Sequence, residues 1–129
     1  MHLIDTSIAV ALRENVRHVG DRFARLSTLP SLSIVSVVEL EGGVAVAEEG
    51  RETRRQSLDK LYAALDILAF GENEAAAYRN IVSEIGFSRR LVIDRMIAAQ
   101  AIVAGATLAT LNPRDFRNVP ELVIEDWSA

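Results

Sequence analysis

Short apolar runs alternate along this chain with longer stretches of helical period, and that alternation restricts the fold more than any other feature. His2-Leu3-Ile4 and Leu32-Ser33-Ile34-Val35 each have the length of a strand, and each leads through a polar residue into a helical pattern. Between them Ile8, Leu12, Val16, Val19, Phe23 and Leu26 recur at helical spacing, with a joint at Arg13-Glu14-Asn15. The stretch from Arg51 to Ala64 carries Leu58, Leu61 and Tyr62 on one side, with Leu65 just beyond it, and charges on the other, the pattern of a surface helix. Asp66 to Phe70 predicts a third strand before Gly71. Asn73 to Ile85 predicts a helix closed by Gly86, and Leu91 to Ala104 another closed by Gly105. Thr107 to Thr110 and Leu122 to Ile124 supply two more short β segments across a loop with Pro113 and Pro120. The expected architecture is α/β: a three-layer domain with a central, mostly parallel sheet of about five strands and helices on both faces. A chain of 129 residues without repeat or linker suits a single domain over 1–129.

Composition narrows the chemistry. No cysteine occurs, so any metal must be held by oxygen or imidazole, and an oxygen set favours Mg²⁺ or Mn²⁺. An acid at position 5 and the lack of any long apolar run argue against a signal peptide or membrane span, so a cytoplasmic protein is expected. The net charge of −4 argues against a broadly basic nucleic-acid surface. The cations are nonetheless almost all arginine, with Lys60 the single lysine, and arginine suits bidentate contact with phosphate.

Functional groups of parallel α/β sheets collect at the carboxyl ends of the strands. Asp5 follows the first strand, Glu39 lies shortly after the second, and Asp115 lies in the loop after Thr107–Thr110. Asp94 begins the helix that feeds that strand, on the side of Ala98, Ala101 and Ile102. Taken singly, each has an ordinary structural reading. Asp5 before Thr6-Ser7 suits a helix N-cap, Ser36-Val37-Val38-Glu39 a capping box, Asp94 a helix dipole and Asp115 a turn. Together they bring four carboxylates to one rim, which a fold tolerates when cations sit among them. Two divalent ions there could activate water and stabilise a leaving oxygen in phosphodiester cleavage.

Ile4-Asp5-Thr6-Ser7, Ser36-Val37-Val38-Glu39-Leu40 with Gly43, Asp94-Arg95-Met96-Ile97-Ala98-Ala99-Gln100-Ala101, and Thr107 through Asn112-Pro113-Arg114-Asp115-Phe116 resemble the motifs of the PIN-domain ribonucleases. The closing Val119-Pro120-Glu121-Leu122 to Trp127 is similar to the tail of their VapC-type toxins. The resemblance spans essentially the whole chain and keeps motif order. It implies a Mg²⁺- or Mn²⁺-dependent endoribonuclease acting on an RNA substrate, inhibited by a small VapB-type antitoxin, and it favours a homodimer. Asp5, Glu39 and Asp94 take the places of three family acids; the fourth position falls on Asn112 or Asp115, and Asp115 is assigned. Ser36, Thr110 and Asn112 become neutral polar supports, and Arg89, Arg90, Arg95 and Arg114 candidate contacts to RNA phosphates. The run Ser88-Arg89-Arg90-Leu91-Val92-Ile93 departs from the Gly or Pro and Ile found in many relatives before the third acid.

Other classes fit less well. A phosphoacceptor receiver would need an aspartate at the end of the third strand, where Phe70-Gly71 stands, and a haloacid-dehalogenase-like phosphatase would need Asp where Ser7 stands. Neither histidine has a partner at ligand spacing, and neither Ser7 nor Ser36 has a histidine for nucleophilic catalysis. The alternative that remains is a catalytically silent interaction module on the same fold.

Overall fold

The computed structural model describes residues 1–129. Its elements run β1 (His2–Ile4), α1 (Thr6–Arg13), α2 (Arg17–Ala24), β2 (Ser31–Ser33), α3 (Ile34–Val46), α4 (Arg51–Ala64), β3 (Asp66–Leu68), α5 (Glu72–Ile85), α6 (Val92–Ala104), β4 (Thr107–Thr110), a 3₁₀ turn (Pro113–Phe116) and β5 (Val123–Asp126). The five strands form one sheet in the order β3-β2-β1-β4-β5, and every pairing is parallel. No helix is long and apolar enough to cross a membrane.

Period-two alternation divides the strands between two layers of core. Leu3 and Leu108 face Ile81, Ile97, Ala98 and Phe116, under α5 and α6. Their sequence neighbours Ile4 and Ala109 face Ile8, Val19, Leu58 and Trp127, under α1, α2 and α4. Helix α3 serves both, Val35 joining the first layer and Leu40 the second. The expected parallel α/β sheet with helices on both faces is what the chain forms. Because β1 is central and the chain turns from one side of it to the other after β3, the loops following β1 and β4 diverge and leave a crevice at their carboxyl ends.

Three strand boundaries differ from expectation, each for a local reason. Ile34 and Val35 begin α3 instead of ending β2, because the Ser33 hydroxyl accepts from the Val35 N–H at 2.9 Å and caps the helix. Ser36-Val37-Val38-Glu39 is consequently the inside of a helix, not a capping box, and the Glu39 carboxylate is left for other partners. β3 stops at Leu68, short of Phe70, where the buried Gln100 amide of α6 donates to the Leu68 and Ala69 carbonyls at 3.0 Å each. β5 lies at Val123–Asp126 because its register follows Thr107–Thr110 residue for residue. Removing the cap by Ser33→Ala is expected to cost about 1 kcal/mol. Urea unfolding would show it as a lower midpoint at unchanged slope.

Candidate active site

Asp5 is the first residue past β1, and the placement that makes it the N-cap of α1 also puts its carboxylate at the carboxyl end of the strand. Its Oδ1 accepts from the Ile8 N–H at 3.1 Å and the Ser7 hydroxyl at 2.6 Å, while Oδ2 accepts from the Thr110 hydroxyl at 2.6 Å. The residue is 3 % exposed. Burial pushes its carboxyl above the ordinary aspartate range, against the opposing pull of the Ser7 and Thr110 hydroxyls. Those hydroxyls also hold the loop after β4, since Ser7 Oγ accepts from Leu111 N at 3.1 Å and Thr110 Oγ1 from Asn112 N at 2.9 Å. Asn112 thus enters the network through its backbone.

Glu39 extends from α3 toward the start of α1, where the Thr6 hydroxyl donates to its Oε1 at 2.5 Å and lies 2.8 Å from Ser36 Oγ. A second carboxylate of α3 fixes the helix from behind: Glu41 receives both Arg55 Nη atoms of α4, at 2.5 and 2.6 Å, and the Tyr62 hydroxyl at 2.9 Å. Arg55 holds Glu41 below the usual carboxylate range, and burial, with Glu41 beside it, pushes the Tyr62 phenol up to about 12.

Asp94, in the first turn of α6, is half-buried. Burial, followed by the negative charges of Asp115, Asp5 and Glu39, pushes its carboxyl up to about 6; Arg90 opposes them. The four predicted acids therefore share one electrostatic field. Asp115, in the 3₁₀ turn, also faces the Arg90 guanidinium at 3.4 Å and borders a cleft of about 410 Å³ lined by Leu111, Asn112, Pro113, Arg114 and Arg117. No three His, Asp or Glu side chains are gathered into a ready-made metal cage. Hydroxyls of Thr6, Ser7 and Thr110 hold Glu39 and Asp5 instead. The donor set, four carboxylates and hydroxyl oxygens without sulfur, fits a hard divalent cation, and so does the mutual repulsion felt at Asp94.

Among the candidate phosphate contacts, Arg89, Arg90 and Arg114 are exposed around this rim, whereas Arg95 is not. Arg95 is 8 % exposed and donates to the Gly86 carbonyl at 2.7 Å, so its guanidinium holds a loop and does not reach out to solvent. Thr6 and Ser7 are the functional residues that sequence reasoning missed. Their signal was present, two hydroxyls directly after an acid at a strand end. A cleft of about 430 Å³ by α2 and the end of β5, lined by His18, Arg22, Arg25, Glu125 and Trp127, lacks such an acid set; Glu125 there is paired with Arg22, His2 and the Trp127 indole.

Comparison with known proteins places the fold. Ribonuclease VapC2 of Rickettsia felis is 29 % identical to the chain, covering 98 % of both, and the tRNA(fMet)-specific endonuclease VapC of Shigella flexneri is 28 % identical over 98 % of the chain and 97 % of its own length. Among solved structures, DNA-bound VapBC from Salmonella typhimurium superposes with a TM-score of 0.87 at 24 % identity, covering 98 % of this chain and 97 % of that one. VapBC2 from Rickettsia felis, bound to a DNA fragment from its promoter, gives 0.86 at 24 % identity and covers 98 % of each chain. The PIN domain family model matches residues 2–122. With that match and the five-stranded parallel sheet that carries the acids, the chain belongs to the PIN domain family.

Proposed function

We propose that this PIN-domain protein is a Mg²⁺- or Mn²⁺-dependent endoribonuclease, the toxin of a pair whose second member is a VapB-type antitoxin. One observation carries the catalytic reading: Asp94 is half-buried, and three acids from three other segments of the chain stand near enough that, after burial itself, their charges raise its carboxyl. Repulsion of that kind opposes folding, and a site that recruits a cation has use for it. Asp5, Glu39, Asp94 and Asp115 would hold the metal. A divalent cation supplies there the charge that brings water's pKa toward neutrality and offsets charge developing on a phosphodiester. The chain's own groups do the positioning. Thr110 and Ser7 orient Asp5, Thr6 orients Glu39, and the exposed Arg89, Arg90 and Arg114 take phosphates on either side of the acids. The relatives named VapC support RNA as substrate, and the VapBC complexes support the antitoxin.

The test is cleavage of RNA by the free protein in Mg²⁺ or Mn²⁺, with EDTA as the blank. Glu39→Gln keeps an acceptor for Thr6 but loses the charge, and is expected to lose more than the roughly 10- to 100-fold typical of outer metal partners. Asp115→Asn is expected to lose less, since it is the acid already paired with Arg90. Wild-type cleavage rates in Glu39→Gln would refute the assignment. A wild-type protein that neither binds Mn²⁺ nor cleaves RNA would return the fold to an interaction module.

A further inference from the structure

Phe87 is the one aromatic side chain in the molecule that stands in solvent, 66 % exposed, on the loop between α5 and α6. The loop is pinned at both ends. Gly86 turns the chain at φ +85° and donates to the Val82 carbonyl at 2.8 Å, and its own carbonyl receives the buried Arg95 at 2.7 Å. At the far end Leu91 N donates to Ser88 O at 3.2 Å and Val92 N to Arg89 O at 3.4 Å. The ring is thus presented by a fixed backbone. Exposed Arg89 and Arg90 follow it after Ser88, and Arg90 meets Asp115 at 3.4 Å, so the loop borders the acid cluster.

We propose that the Gly86–Leu91 loop is a nucleobase-stacking arm: Phe87 carries a base of single-stranded RNA while Arg89 and Arg90 hold the adjoining phosphates. This rests on the ribonuclease reading above and assigns the residues that would engage an unpaired stretch of RNA. Single strands are bound by aromatic faces interleaved with cations, because every unpaired base has a free π-face and every linkage a charge. A paired base has neither face free. The residues that follow favour RNA over a protein partner, since Phe87 leads through Ser88 into two exposed arginines, a cationic run and not an apolar one. Arg95 finds its use here, holding the arm in place from inside the protein.

The experiment is fluorescence anisotropy of labelled RNA oligonucleotides with the intact protein in EDTA, where binding is read without cleavage. Phe87→Ala is expected to weaken single-stranded RNA roughly tenfold with an unchanged salt slope, and Phe87→Tyr to restore it. Phe87→Leu, apolar but without a π-face, is expected to resemble Phe87→Ala. Arg89→Ala and Arg90→Ala are expected to flatten the salt slope instead. On an abasic strand, Phe87→Ala is expected to cost nothing further. Wild-type affinity in Phe87→Ala or Phe87→Leu would overturn the proposal, as would equal losses on duplex RNA. So would a change of oligomeric state in Phe87→Ala by sedimentation, which would make the ring a contact between protein copies. Failure of the catalytic reading looks different: RNA binding that depends on Phe87, with no metal-dependent cleavage.

Discussion

Asp94→Asn is expected to stop RNA cleavage and, in EDTA near pH 7.5, to raise the melting temperature above wild type. The folded protein holds this carboxyl at about 6 against an ordinary value of 3.8. An aspartate raised on folding opposes folding when ionised. Its penalty is absent below the unfolded value, grows as pH rises from 3.8 to about 6, and is complete above that. Because Asp94 is only half-buried, solvent screening reduces the full conversion of the shift to about 1–2 kcal/mol. Asparagine never ionises and escapes the penalty, so the two melting curves should converge below pH 4 and separate toward neutrality. Mg²⁺ at ten times its dissociation constant would add about 1.4 kcal/mol to wild type and less to the variant. A variant that melts below wild type in EDTA, or gains as much from Mg²⁺, would make Asp94 a helix-dipole residue and no part of a metal site.

Asp5→Ala is expected to end activity just as completely, with stability moving the other way. Its carboxylate is the acceptor for Ile8 N and Ser7 Oγ in the first turn of α1 and for the buried Thr110 Oγ1 at the end of β4. Losing the cap and stranding two hydroxyls should cost about 2–3 kcal/mol, offset in part because a carboxyl that burial disfavours when ionised is removed as well. Asp5→Asn, which keeps an acceptor oxygen, should fall between. Urea midpoints at pH 7 in EDTA would place the two substitutions. An Asp5→Ala midpoint equal to wild type would mean that the three donors find other partners.

The architecture was legible because short apolar runs alternate cleanly with period-3.6 patterns and because Asp5, Asp94 and Asp115 each stand close after a strand or at a helix start. Leu3 with Ile4 and Leu108 with Ala109 show why: neighbours in sequence belong to opposite layers. Boundaries were less legible. Ser33 and Ser36 are both plausible caps, and the Ser-x-x-Glu spacing also recurs inside any helix, so only the backbone of Ser33 decides between them. Arg95 was misplaced because adjacency to Asp94 says nothing about rotation. One residue along a helix is about 100° around it, enough to carry the guanidinium into the interior while Asp94 faces the site. The hydroxyl network was hidden for a different reason: Thr110 meets Asp5 across 105 positions, and no local pattern encodes that contact.

That separation also sets a schedule. Of the five strands β1 is made first; it lies between β2 and β4, and β4 is made only after residue 106. Until then Asp5 has no Thr110, the Leu111 loop has no Ser7, and Asp115 does not yet exist. Pairings between distant segments form late. A growing chain therefore carries Asp5 and Glu39 in an unfinished site until β4 is made, and a protein truncated before Thr107 is expected to cut no RNA. On the ribonuclease reading, the nascent chain would spare the messenger that encodes it until β4 and the loop after it have been made.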